Sequence, residues 1–346
     1  MNTLMRALLL LLGCLAFSSA HALNGETLYT NQCSVCHGTD GAGGVGVPLA
    51  LRAFQQQASD DYIRHTIRYG RPGRVMPAFN RLSDAEISAI IQYIRSLAPG
   101  VKPPVWQTTP VKGNPQHGAR LFNDHCVACH GKNAQGGTGT GLMFSRPKVL
   151  PITAPALNNP GFLHAATDQM IKTIITQGRE NTPMPSATSL ALKPAEINDI
   201  VSYLRSLQKP LPKDTIDEEP AVLVYESPYS YEQTIENVKR AAVGMNFRLI
   251  REQPLDYGLA PKNQQSKHKH IVYFCNFKFL YDALSIDPRV GMFLPCRVTV
   301  VEDHGTVKVM SINPKRLSHI FNNNQLDKAC KEMEDVYTSI LEEATL

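Results

Sequence analysis

Ile87, Ile90, Ile91, Ile94 and Leu97 fall on one helix face, and Ser83 stands three residues before Glu86 in the form of a capping box. A helix is therefore predicted here. The pattern returns 110 residues later: Leu82-Ser83-Asp84-Ala85-Glu86-Ile87 is matched by Leu192-Lys193-Pro194-Ala195-Glu196-Ile197, and residues 93–97 by 203–207. Two units close alike. From Ala221 onward the pattern shortens: an apolar strand reaches Tyr225, and a helix opened by Ser230, with Gln233 completing a capping box, ends near Gly244. Further strands are predicted over residues 247–251, 271–275, 292–301 and 306–310, with Glu302-Asp303-His304-Gly305 as a hairpin turn. Leu326, Met333, Val336 and Ile340 mark one face of a closing helix. The expected fold class is multidomain: two nearly all-α units followed by an α+β domain with a mainly antiparallel sheet.

Residues 7–17 form the only sustained apolar run; it follows Arg6 and precedes Ala20-His21-Ala22, as in a secretory signal. Residues 1–22 are expected to be a removed leader, the rival being a lipoprotein-type cleavage that would leave Cys14 lipidated. The run is about half of the roughly 20 residues that a spanning helix needs, so no transmembrane span is expected in the mature protein. The other seven cysteines are then placed in an exported, oxidising compartment, the bacterial periplasm. Pro99, Pro103, Pro104, Pro110 and Pro115 crowd a linker over 99–116; Pro210, Pro212 and Pro220, with Asp217-Glu218-Glu219, make a second over 209–220. The expected domains are 23–98, 117–208 and 221–346.

The two units also begin alike. Gly25-Glu26-Thr27-Leu28-Tyr29 runs into Cys33-Ser34-Val35-Cys36-His37-Gly38, and Gly118-Ala119-Arg120-Leu121-Phe122 into Cys126-Val127-Ala128-Cys129-His130-Gly131, at a shift of 93. Residues 59–76 match 167–184 at a shift of 108, so the second unit carries a 15-residue insertion around 142–154. Cys-x-x-Cys-His is the attachment spacing of c-type haem: two thiols about one turn apart add to the vinyl groups of one porphyrin, and the adjoining imidazole reaches the iron. The cysteine pairs are too far apart for a zinc ribbon, and neither lies in the βαβ setting of a thioredoxin-like dithiol.

The sixth iron position needs another residue. Met76-Pro77 and Met184-Pro185 occupy equivalent places before the last helix of each unit and are the expected axial ligands, with Met143 a backup in the insertion. The expected metal set is thus His37, Met76, His130 and Met184. Met170 aligns with Tyr62 and reads as packing; His65 aligns with Thr173 and reads as a surface histidine. Arg71 and Arg179 also recur, each either pairing with a haem propionate or standing as a solvated charge. The Gly-rich stretches 38–46 and 131–141 lack the continuation of a phosphate-binding loop and read as tight loops beside the haem.

Both units resemble class I cytochrome c domains, over residues 24–98 and 117–208, through Cys-x-x-Cys-His, the later Met-Pro and the closing Tyr-x-Arg-Ser-Leu. The resemblance implies three or more helices around each of two covalently attached haem c groups, His/Met ligation, and electron transfer at an exposed haem edge. The third domain resembles the family catalogued as domain of unknown function 302 over 221–344. That likeness rests on Tyr231-Glu232-Gln233-Thr234, Phe274-Cys275-Asn276 and Leu294-Pro295-Cys296-Arg297-Val298, and implies a compact α+β module that often forms dimers. For Cys275 and Cys296 three states stay open: a disulfide, buried free thiols, or a functional thiol or metal site. Cys330 lies beside the apolar face of the last helix.

Charge is uneven, +2 over 23–104, +6 over 105–213 and −4 over 214–346. Haem propionates would lower the basicity of the haem region further, so nucleic acid is not an expected partner; the second unit could instead meet an acidic redox protein or the chain's own third domain. Three functions are consistent with this reading. The leading one is an exported dihaem carrier passing single electrons between donor and acceptor proteins, because full His/Met ligation leaves no open iron position. The others are a dihaem oxidoreductase acting on a small inorganic sulfur or nitrogen species, and a sensor or binding module with accessory haems.

Overall fold

The computed structural model describes residues 24–137, 154–212 and 220–346. The expected leader with Cys14, and Met143 in the insertion, lie outside the described residues. The first repeat comprises α1 (Gly25–Gln32), α2 (Ser34–His37), α3 (Arg52–Gln57), α4 (Asp60–Tyr69) and α5 (Asp84–Ser96). The second contains α6 (Pro115–His125), α7 (Val127–His130), α8 (Pro160–Ala165), α9 (Asp168–Gln177) and α10 (Pro194–Ser206).

Each repeat is built on a close crossing of its first and last long helices. A Cβ on Gly25 would fall 2.1 Å from the Ala89 carbonyl oxygen, and one on Gly118 only 1.9 Å from that of Asp199, so glycine is what lets α1 touch α5 and α6 touch α10. Beside each crossing lies an aromatic pair, Tyr29 with Tyr93 at 5.0 Å and Phe122 with Tyr203 at 5.3 Å. Ile87, Ile90, Ile91 and Ile94 are all buried, as are Ile197, Ile200, Val201 and Leu204. Ser83 and Glu86 form the expected reciprocal cap; at the matching position Lys193 offers only its backbone N–H, which donates to Glu196 at 2.7 Å.

A second brace also recurs. Arg95 donates to Asp60 at 2.8 Å and to the carbonyls of Gln55 and Ala58, while Arg205 donates to Asp168 and to the carbonyls of Leu163 and Ala166. Each arginine thus closes its last helix onto the turn between the third and fourth. Met170 is buried in the second core, as its alignment with Tyr62 suggested.

The repeats pack on one another reciprocally, α4 on α8 and α3 on α9. Arg71 lies 5.8 Å from the Phe162 ring and Arg179 lies 5.9 Å from that of Phe54, contacts related by the repeat itself. Gln57 fastens the join by donating to the Gly178 carbonyl at 2.7 Å.

The third domain is a five-stranded antiparallel sheet in the order β1-β5-β4-β3-β2: β1 (Val222–Ser227), β2 (Arg248–Pro254), β3 (Lys269–Cys275), β4 (Cys296–Asp303) and β5 (Thr306–Ile312). The helices α11 (Tyr231–Gly244) and α14 (Asp327–Thr345) cover one face, burying Val238, Phe274, Val298, Val309 and Ile340. Ser230 caps α11, but Gln233 does not complete the box: its side chain donates to Asn237 at 2.9 Å instead. The strand expected from residue 292 begins only at Cys296, because residues Pro288–Phe293 form a 3₁₀ helix and Pro295 has no N–H to give a ladder. Two further helices, α12 (Phe277–Ile286) and α13 (Pro314–Phe321), were not foreseen.

Candidate functional site

In each repeat the first helix stops at a cysteine, and the next turn places the second cysteine and the histidine. Cys33 N–H donates to the Tyr29 carbonyl and His37 N–H to that of Cys33; Cys126 to Phe122 and His130 to Cys126 repeat the pattern. A left-handed glycine, Gly38 (φ 80°) or Gly131 (φ 76°), then turns the chain back. The Gly-rich stretches follow, described over 38–46 and 131–137, as tight turns over the motif, with Gly46 N–H on the Cys36 carbonyl and Gly136 N–H on that of His130, each at 2.8 Å.

These loops select the histidine tautomer. His37 Nδ1 lies 2.8 Å from the Val47 carbonyl and His130 Nδ1 lies 3.0 Å from the Pro155 carbonyl, positions that match at the 108 shift. A carbonyl only accepts, so Nδ1 carries the proton and Nε2 keeps its lone pair for a metal. Burial lowers the pKa of both imidazoles, which favours the neutral ligand form. The loop passes so close that a Cβ on Gly46 would sit 2.6 Å from His37 Cε1. Sequence reasoning did not name Val47 and Pro155, which lie 10 and 25 residues after their histidines because the 15-residue insertion falls between. Before any haem is attached, burial pushes Cys33 and Cys126 up to about 11, unlike the low-pKa thiolate of a redox dithiol.

The expected methionines sit on matched loops. Arg71 N–H donates to the Met76 carbonyl at 2.8 Å and Arg179 N–H to the Met184 carbonyl at 3.0 Å, after left-handed Gly70 and Gly178. Both methionines are half-buried. In the second repeat the loop holds itself, since Thr182 Oγ1 donates to the Arg179 carbonyl and accepts from Met184 N–H. In the first the backbone makes the matching contacts, Arg74 N–H to the Arg71 carbonyl and Met76 N–H to that of Arg74, and the third domain adds an outside clamp: Asn322 Nδ2 donates to the carbonyls of Met76 and Arg71, and Gly73 N–H donates back to Asn322 Oδ1.

Neither arginine is a free solvated charge. Arg71 donates to the Tyr62 hydroxyl and to Thr66, and Arg179 to Gln57 Oε1, so both guanidiniums are engaged where the repeats meet. His65 is half-buried and stacks on Tyr69 at 5.4 Å.

Cys275, Cys296 and Cys330 are joined by no disulfide in this structure. Cys296 stands opposite Phe274 in the β3–β4 register, so its side chain shares the Phe274 face while Cys275, one residue on, points to the other. Burial raises the pKa of both, and the Cys296 thiol contacts the buried Tyr337 hydroxyl. Near the first haem motif, burial raises the Cys36 thiol, while Arg289 of the third domain lowers it and Asp287 raises it.

Among the described residues no helix is long and apolar enough to cross a membrane. Residues 20–94 match the family model for cytochrome c oxidase, cbb3-type, subunit III, residues 115–208 that for cytochrome c, and residues 223–344 that for domain of unknown function DUF302. The cbb3-type cytochrome c oxidase subunit FixP of Bradyrhizobium sp. (strain ORS 278) is 32% identical over 195 residues, covering 53% of this chain and 60% of that protein. Subunit CcoP of Azospirillum brasilense is 28% identical over 207 residues, covering 56% and 63%. The chain thus spans less than two thirds of the length of either curated relative. A solved DUF302 protein from Bacillus stearothermophilus, itself uncharacterized, is 20% identical and covers 36% of this chain and 99% of its own, with a TM-score of 0.34. The chain is two cytochrome c domains followed by a DUF302 domain, and its cofactors are two covalently bound haem c groups.

Proposed function

We propose that the protein is an exported dihaem cytochrome that passes single electrons between redox partner proteins. Cys33 and Cys36 would hold the first haem, with His37 and Met76 on its iron; Cys126 and Cys129 would hold the second, with His130 and Met184. A haem iron between an imidazole and a thioether supplies reversible one-electron transfer with no position open to substrate. The observation that carries the reading is the matched pair of His Nδ1–carbonyl bonds, which frees Nε2 in both repeats. The protein's part is otherwise to hold still: the Val47 and Pro155 carbonyls orient the rings, and the Arg71 and Arg179 N–H groups close the methionine loops. Similarity to cbb3-type oxidase subunits supports a respiratory oxidase as one partner, and the basic second domain suits an acidic one. Export would follow from cleavage after Ala22, which N-terminal sequencing of the mature protein would read as Leu23.

Carbon monoxide tests the ligation. The ferrous protein should bind it only slowly, whereas Met76→Ala and Met184→Ala should each open one haem. Rapid stoichiometric binding by the unaltered protein would overturn the carrier reading in favour of substrate chemistry at iron. An unchanged spectrum in either variant would remove that methionine from the ligand set.

A further inference from the structure

The third domain reaches the first haem domain through one turn. Asn322, at the C-terminal cap of α13, is left-handed (φ 49°, ψ 45°), a conformation asparagine adopts readily. Its side chain makes three hydrogen bonds into the Met76 loop, donating to Met76 O at 2.7 Å and Arg71 O at 3.1 Å and accepting from Gly73 N–H at 2.7 Å. The backbone adds two more: Val75 N–H donates to the Asn322 carbonyl, and Asn324 N–H to the Gly73 carbonyl. Val75 is held at φ 72°, a strained value for a β-branched residue, at the point where its N–H meets the Asn322 carbonyl.

The turn is rigidly backed. Leu317, Phe321 and Leu326 are buried together beneath it. Arg289 ties the Phe321 carbonyl to fully buried Asp287, which also accepts from Asn323. Gly73 permits the approach, for a Cβ there would lie 2.9 Å from Asn324 Nδ2.

We propose that Asn322 is a positioning residue for the first haem: by holding the Arg71 and Met76 carbonyls it keeps the Met76 loop closed, so the DUF302 domain controls sulfur ligation at the first iron and leaves the second alone. This rests on Met76 being the ligand. The second repeat is the internal control, because Thr182 closes its loop from within.

The test uses full-length holoprotein. Asn322→Ala removes all three side-chain bonds, and Asn322→Asp keeps only the acceptor for Gly73. Losing bonds of ordinary strength raises the open-loop population about tenfold or more. Carbon monoxide should therefore bind the first ferrous haem about tenfold faster in Asn322→Ala and by at least as large a factor in Asn322→Asp, whose second carboxylate oxygen would face the two carbonyls without a proton to give. The first reduction potential should fall, because methionine ligation raises it, and the second should stay. Unchanged binding and potential at the first haem in a folded variant overturn the proposal, as do equal changes at both haems. Met76→Ala separates the two readings. If it opens the first haem while both Asn322 variants do nothing, only the clamp fails; if it changes nothing, the ligand assignment fails.

Discussion

The first and second repeats solve one packing problem with the same parts, then diverge at the loop that carries the methionine. Gly25 and Gly118 admit the helix crossing, Arg95 and Arg205 tie the last helix to the preceding turn, and Val47 and Pro155 orient the histidines. At the methionine loop the second repeat uses the Thr182 hydroxyl, while the first adds Asn322 of another domain to its own backbone bonds. The helix crossing, the arginine brace and the histidine contact are the same in both copies, while the side-chain fastening of the methionine loop differs between them.

The most drastic way to break the comparison is to empty one site. Cys33→Ala with Cys36→Ala, or Cys126→Ala with Cys129→Ala, should each lower the bound haem by about half, leaving the other repeat's spectrum intact. Intact mass and absorbance would read this, and loss of both haems from one pair of substitutions would show that the repeats fold as one unit.

The arginine braces should differ in strength. Arg205→Ala leaves Asp168, whose side chain is 8% exposed, with the Val111 N–H but no opposite charge, and should cost about 3–5 kcal/mol. Arg95→Ala leaves Asp60 half in water, at 50% exposure, and should cost about 2 kcal/mol, mostly from the unpaired carbonyls. Thermal unfolding of the holoprotein would rank them, and equal losses would refute the burial argument.

Gly118→Ala and Gly25→Ala probe what the repeats share. Both force a methyl against a carbonyl oxygen, so each should cost about 1–3 kcal/mol by the same measurement. A neutral result at either would mean that its helices part freely.

The smallest effect belongs to the third domain. Denatured protein should alkylate equally at Cys275, Cys296 and Cys330 with and without prior reduction, so mass spectrometry should show no difference. A shift on reduction would restore the Cys275–Cys296 bridge that the register argues against.

Much of each haem site was legible because its chemistry is local. Two cysteines and a histidine within one helical turn stand out by spacing, and the repeat puts Met76 and Met184 at matched positions, where the structure gives both the same backbone contact. The arginines were legible as recurrent but not as interface residues, since Phe162 and Phe54, their partners, lie in the opposite repeat. In the third domain the alternating strands showed clearly. The short helix α13 did not, and nothing in Asn322-Asn323-Asn324 distinguishes a docking turn from an ordinary polar loop.

From sequence alone follow the two repeats, their Cys-x-x-Cys-His motifs and the change to a β-rich third domain, because each depends on periodicity or spacing over a few residues. Tertiary structure decided which carbonyls face the histidines, how the two repeats brace one another, and that a residue of the third domain holds the first methionine loop. Those contacts join groups far apart in the chain, and hydrogen-bond geometry across a packed interface depends on where whole elements come to rest, which no local pattern records.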